Sequence, residues 1–145
     1  QIAKFIAGRR ISMPITTVKE LTQIVLNAKG LTEKNWKKQN KSADFGSAHP
    51  AARTFQALRI TVNHELDSLE KLLEAAPGCL RPGGRIGIIS FHAGEDRIVK
   101  NAFRDGYKNG VYEQTSPKPI IPSRWEIQKN PRSSSAKFRW AKMPG

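Results

Sequence analysis

The chain is 145 residues long, enough for one domain with a modest core, and sets 25 Lys and Arg against 12 Asp and Glu, a formal charge of +13. A surplus of that size on ordinary hydrophobic content points to a polyanion, nucleic acid first. An anionic membrane competes, but no basic amphipathic helix with a strongly apolar face supports it. The single cysteine, Cys79, excludes an internal disulfide and a cysteine metal cluster, and His49, His64 and His92 are too scattered for a zinc spacing. No apolar run approaches the roughly 20 residues of a transmembrane helix and no signal peptide is visible, so a soluble protein in a reducing compartment fits. The chain opens on Gln1 and enters a helical pattern at once, which reads as part of a larger protein.

Ile2, Phe5 and Ile6 share one face of a short first helix running into Gly8-Arg9-Arg10, and Pro14 ends the linker after it. Thr17-Val18-Lys19-Glu20 is a capping-box pattern, in which the Thr17 hydroxyl accepts an orphan N–H and Glu20 reaches back. Val18, Leu21, Val25 and Ala28 then form the expected buried stripe, with Gly30 as a C-terminal stop. From Leu31 to His49 the periodicity dissolves into Lys34, Lys37, Lys38 and Lys41 around Trp36, a basic loop with one helical turn at most; a solvated loop and an RNA-contacting one are both open.

Pro50 suits the first position of a helix. Phe55, Leu58, Val62, Leu66, Leu69 and Leu73 then recur at spacings of three and four, predicting one long helix from about 50 to 76, stopped by Pro77-Gly78. Its first half lines Arg53, Gln56, Arg59 and Asn63 along one side. Its second half is acidic through Glu65, Asp67, Glu70 and Glu74. A basic start against a polyanion and a plain salt-bridged surface explain this split equally.

Pro82-Gly83-Gly84 is a turn signal. Ile86 to Phe91 after it is short, apolar and β-branched, the pattern of a strand buried on both faces of a parallel sheet. Polarity returns at Ser90-Phe91-His92, and Ile98, Val99, Ala102 and Phe103 repeat at helical spacing. Ligands of open α/β sheets bind beyond the carboxyl ends of strands, so Ser90 and His92 stand where chemistry is usually found; an ordinary corner with a capping histidine is the alternative. Asp105-Gly106 and Asn109-Gly110 read as turns, and Ile120-Ile121, bracketed by prolines, as an extended piece near a sheet edge. Ser123-Arg124-Trp125-Glu126 repeats the capping logic for a brief helix ending near Asn130-Pro131. The alternation from Ser135 to Ala141 predicts a half-buried final strand.

No glycine-rich loop follows a strand, and no Walker loop, GxSxG elbow or HExxH motif is present. Glu95 and Asp96 sit near a helix start, where the dipole favours them. His92 could serve as acid, base or hydrogen-bond partner of a nucleobase. Arg97, Lys100, Arg132, Lys137 and Arg139 could neutralise phosphates, and Trp36, Trp125 and Trp140 could stack on bases, although packing is the default for tryptophan.

Four ordered blocks carry a resemblance. They are Pro14-Ile15-Thr16-Thr17; His49-Pro50-Ala51-Ala52-Arg53-Thr54-Phe55-Gln56-Ala57-Leu58-Arg59-Ile60 with Val62-Asn63 and Glu65-Leu66; Arg81-Pro82-Gly83-Gly84-Arg85 through Ser90-Phe91-His92 and Glu95 to Lys100; and Asn130-Pro131-Arg132 with Ser135-Ala136-Lys137. Together they resemble the carboxy-terminal half of the MraW-type 16S ribosomal RNA cytosine-N4 methyltransferases.

The resemblance implies an α/β fold: the later strands and helices of a Rossmann-like methyltransferase sheet, with a reversed final hairpin, plus part of a helical insertion. Residues 1–60 would belong to the insertion that meets rRNA, and residues 61–145 to the methyltransferase domain, with the acidic half of the long helix packed on the sheet. The cofactor implied is S-adenosyl-L-methionine, held by the family's glycine-rich loop upstream of Gln1, so this chain should contribute no cofactor-binding or metal-binding residue and be inactive alone. Partners implied are small-subunit rRNA or the subunit itself and the amino-terminal half of the same protein, with a homodimer compatible and no membrane. The setting is cytoplasmic, or organellar in a eukaryote. Ser90 and His92 would line the substrate side, and Arg53, Arg59, Arg97, Lys100 and Arg132 would hold rRNA phosphates; no catalytic residue is assigned. The chain departs from the family at Ala93-Gly94, where Ser-Leu is usual. A non-enzymatic rRNA-binding or ribosome-assembly factor that has lost the cofactor half is the alternative function.

Overall fold

The computed structural model describes residues 1–36 and 49–145. The chain divides into two compact units, Gln1–Asn63 and His64–Gly145. Most of the basic loop anticipated over 31–49 lies outside the described residues. Its start is a single turn at Thr32, whose hydroxyl accepts from Asn35 N–H while the Asn35 side chain accepts from Thr32 N–H.

In the first unit, α1 (Ile2–Ser12) packs against α2 (Val18–Ala28), and α3 (Ala52–Asn63) follows the 31–51 segment. The α2 capping box forms as its sequence predicts: Glu20 N–H donates to Thr17 Oγ1 at 3.2 Å, and Thr17 N–H donates to Glu20 Oε2 at 2.9 Å. The buried side differs from the expected stripe. Ile24, Val25, Leu26 and Ala28 are buried, whereas Val18, in the first turn beside the cap, is 71% exposed. Ala51 is also buried, its N–H bonded to His49 Nδ1, and the His49 ring meets Trp36 edge-on at 4.7 Å between centroids.

The long helix expected from 50 to 76 is two helices. His64 takes a left-handed conformation (φ 50°, ψ 40°) and ends α3; α4 (Glu65–Cys79) begins after it. Histidine is among the residues that tolerate this region. Glu65 and Asp67 therefore occupy the first turn of a new helix, where its dipole favours acids. Pro77 does not stop α4 but sits inside its last turn.

The second unit holds a three-stranded sheet in the order β1-β3-β2, formed by β1 (Arg85–Ser90), β2 (Gln114–Thr115) and β3 (Lys137–Lys142). Both outer strands pair antiparallel with β3, Arg85 opposite Lys142 and Ser90 opposite Lys137, so β1 and β2 run parallel to each other with the last strand reversed between them. Helix α5 (Ala93–Lys108) makes the crossover. It runs straight through Asp105-Gly106, expected as a turn, and only Asn109-Gly110 (φ 74° at Gly110) ends it. Ile120 pairs with Phe138, placing the extended Ile120-Ile121 piece at the sheet margin as expected. Helix α6 (Arg124–Lys129) starts at the Ser123 cap, and a 3-10 turn (Pro131–Ser135) unforeseen in the sequence leads into β3.

One core serves this unit: Leu73 of α4, Val99 and Phe103 of α5, Tyr112, and Ala141 of β3, flanked by Ile86 and Ile88 of β1. Helix α4 reaches it chiefly by packing on α5, not by lying on the sheet. The turn before β1 is type II in its residues, with Pro82 then Gly83 at φ 70° and Gly84 N–H donating to Arg81 O at 2.8 Å. Strand β1 itself departs from expectation. It pairs antiparallel, and only its α5-facing side is covered, since Ile86 and Ile88 are half-buried while Ile89 and Phe91 on the chain beyond them are exposed.

Candidate functional site

The corner between β1 and α5 is the most densely bonded polar region of the second unit. Ser90 closes β1, buried, with its hydroxyl donating to Lys137 O at 3.4 Å. Two residues on, His92 is the N-cap of α5. Its Nδ1 accepts from Glu95 N–H at 3.3 Å, while Glu95 Oε2 accepts the N–H groups of Phe91 (2.9 Å) and His92 (3.3 Å). This reciprocal box satisfies orphan donors that would otherwise face a low-dielectric corner. Histidine thus does the work usually given to Ser, Thr or Asp.

With Nδ1 as the acceptor of the cap, Nε2 is the ring nitrogen left to donate. That Nε2 is buried and lies 3.2 Å from Glu95 Oε1, but without the alignment of a hydrogen bond. The imidazole is thus engaged by Glu95 at both nitrogens, by a hydrogen bond at Nδ1 and by a close carboxylate at Nε2. Gly94 lies beneath it: a Cβ there would come within 3.1 Å of Nδ1, so a larger side chain would press on the ring.

Asp96, one residue after the box, ties α5 to β3. Its Oδ1 accepts from Arg139 Nε at 2.7 Å and its Oδ2 from Lys137 Nζ at 3.4 Å. The Arg139 hydrogen bond above all, opposed by burial and aided by the charges of Arg139 and Lys137, holds the Asp96 carboxyl below its ordinary value of 3.8. Arg139 is only 5% exposed. It is therefore committed to Asp96 and not presented to phosphate, while Lys137, whose side chain is 37% exposed, meets Asp96 at longer range. The signal was available in the alternation of β3, which puts Arg139 on the same side as buried Ala141.

Of the other residues singled out in the sequence, Arg97 and Lys100 are exposed on α5, leading away from the corner. Arg132 is exposed on the 3-10 turn that feeds Lys137, the residue opposite Ser90. Ser90, His92, Arg97, Lys100 and Arg132 thus belong to one unit, whereas Arg53 and Arg59 lie on α3 of the other. Both of these are exposed, and Arg59 already has an interaction partner. Trp140 is half-buried in β3, Trp36 packs on His49, and Trp125 is exposed with Lys129 Nζ 4.2 Å from its ring centroid. Among the described residues no helix is long and apolar enough to cross a membrane.

Comparison with known proteins places these features in a family. Residues 1–144 match the model of the MraW methylase family. A ribosomal RNA small subunit methyltransferase H from Picosynechococcus sp. is 47% identical over 143 residues, 99% of this chain and 44% of the relative. A protein of the same name from Rhodopirellula baltica is 46% identical over 98% of this chain and 40% of its own length, and one from Rippkaea orientalis is 62% identical over 97 residues. The chain spans less than half the length of these relatives. By a match that runs from end to end, the chain belongs to the MraW methylase family.

Proposed function

We propose that this chain is the carboxy-terminal part of an enzyme that transfers a methyl group from S-adenosyl-L-methionine to the exocyclic N4 of a cytosine in small-subunit rRNA. The observation that carries the reading is the family match over residues 1–144, joined to relatives named as methyltransferases of that RNA. The described residues do not suit the methyl donor itself. Among them no glycine-rich turn follows a strand, and β1 passes through Phe91 directly into the His92–Glu95 box. The upstream part of the protein would hold the donor and extend the sheet beyond β1, and this chain would work on the RNA side.

In this reading residues 1–60 are part of the rRNA-facing helical insertion and residues 61–145 complete the methyltransferase domain; a division of the chain at 63/64 supports the assignment. His92 shapes the substrate side of the corner through the ring that its box with Glu95 holds in place. Ser90, two residues earlier at the end of β1, helps shape that side. Arg53, Arg59, Arg97, Lys100 and Arg132 hold phosphates, and the target cytosine must be unstacked to reach the corner. Such an enzyme would act in the cytoplasm, where small subunits are assembled.

The test is incorporation of labelled methyl from the donor into small-subunit rRNA by the full-length protein. His92→Asn retains a cap acceptor for Glu95 N–H and should preserve stability while lowering methyl transfer at least about tenfold, the loss expected when a group that shapes the substrate side is replaced by a smaller one. Transfer at the wild-type rate by His92→Asn, or by a double alanine variant at His92 and Arg97, would remove these residues from the substrate side. Salt-sensitive rRNA binding with no transfer at all would favour the assembly-factor alternative.

A further inference from the structure

Helix α5 carries cations that the corner does not use. Arg97, Lys100, Arg104 and Lys108 follow one another at intervals of three, four and four, which sets them along one side of the helix as an exposed ridge. Asp105 holds the Arg104 guanidinium at 2.9 and 3.3 Å and also feels the charge of Lys108, leaving Lys100 as the stronger anion contact. Beside the middle of the ridge opens a cleft of about 590 Å³ between α5 and the β2 margin of the sheet. That volume lies within the range of sites for small organic ligands. Phe103, 2% exposed, forms part of its apolar lining; Tyr107, 55% exposed, stands beside it; Thr115 and Pro117 lie across from them. Lys100 and Arg104 are among its walls.

We propose that this cleft receives one unpaired base of an RNA strand, stacked on Tyr107, with the α5 cations holding the phosphates on either side. The proposal rests on the rRNA-directed reading above and names a contact to RNA other than the base to be methylated. Three features converge on that occupant. An exposed aromatic ring gives any base a stacking surface. Cations beside that ring suit the phosphates flanking a base and add to a chain with a formal charge of +13. The Thr115 hydroxyl can donate or accept at a base edge. The cleft's place in the sheet also keeps it available. In the order β1-β3-β2 it lies at the β2 margin, so strands added at β1 would leave it open.

The experiment is fluorescence anisotropy of a labelled, unstructured ten-nucleotide RNA with the full-length protein across a salt series. Tyr107→Ala should weaken binding about five- to a hundredfold, the effect of losing one base–aromatic stack, with the slope of log affinity against log salt unchanged. Tyr107→Phe should bind within about twofold of the wild type. Lys100→Ala should reduce the salt slope by about 0.7, one phosphate contact on a single strand. Wild-type affinity in Tyr107→Ala, or equal losses in the Ala and Phe variants, would overturn the proposal. Methyl transfer by an enzyme whose RNA affinity ignores Tyr107 would remove the cleft alone. A Tyr107-dependent affinity in a protein that transfers no methyl group would remove the methyltransferase reading and leave the cleft.

Discussion

At the scale of single residues, Asp96 shows how a charge read as a helix-dipole ornament can hold two elements together. Removing its carboxylate would leave Arg139 buried and uncompensated, and breaking a buried pair from one side costs far more than the pair contributes net. Asp96→Asn should therefore lower the stability of the full-length protein by on the order of 3 kcal/mol in urea unfolding. Lys137→Met, which removes the more exposed and more distant partner, should cost less than about 1 kcal/mol. The pH dependence has a definite sign. The Asp96 carboxyl titrates below 3.8 in the folded state, so between the folded and unfolded values the unfolded chain binds more protons. Its stabilisation is whole above that range and fades as pH falls through 3.8 toward the folded value. Urea midpoints of the wild type should fall more steeply than those of Asp96→Asn below about pH 5. Glu20 and Asp105 are lowered as well, by the Thr16 and Thr17 backbone and by Arg104 respectively, but both lie in water, where such pairs contribute little.

At the scale of elements, two helical glycines should respond to alanine in opposite directions. Gly78, in the last turn of α4, has nothing within 4 Å of an added Cβ, so alanine removes unfolded-state freedom at no steric cost. Gly78→Ala should stabilise by about 0.4–1 kcal/mol. Gly106, inside α5, would place its Cβ 2.6 Å from the Tyr112 ring, and that ring is 4% exposed and set edge-on against Phe103. Gly106→Ala should destabilise by about 1–3 kcal/mol despite the better helix propensity, a reversal visible in thermal unfolding. Gly106 also explains an element misread from its sequence. Asp-Gly is a turn signal only while nothing else needs the glycine, and here a ring packs where a side chain would be. Local chemistry was legible wherever it is local: Thr17 and Ser123 found the predicted cap donors, and the alternation of β3 gave its strand. The break at His64 was hidden because Val62 and Leu66 keep helical spacing across it. The histidine cap at His92 was equally hidden, since the residue type pointed to chemistry before structure.

At the scale of the molecule, the apolar run Ile86–Phe91 predicts burial on both faces, and the structure covers only one. In the proposed full-length enzyme the cover for the second face would come from outside this chain. Ile89 is 59% exposed, with Phe91, Ile120 and Ile121 also exposed, and β1 has no partner on its second edge among the described residues. An open edge beside exposed apolar side chains is a template for association. The longer relatives supply more than half of their length outside the matched region, enough to extend the sheet and cover this face. That interpretation fixes the sign of one substitution in two settings. Ile89→Lys in the 145-residue chain replaces exposed apolar surface with charge at a sheet margin and should reduce self-association in sedimentation. In the full-length protein the same lysine would be buried without a partner and should lower the urea midpoint by an amount equivalent to at least about 2 kcal/mol. If Ile89 faces water in both settings, the full-length effect would stay within about 0.5 kcal/mol, as for an ordinary surface change. A neutral result would mean that the apolar run of β1 reflects strand propensity alone, and that the upstream half does not pack on this face.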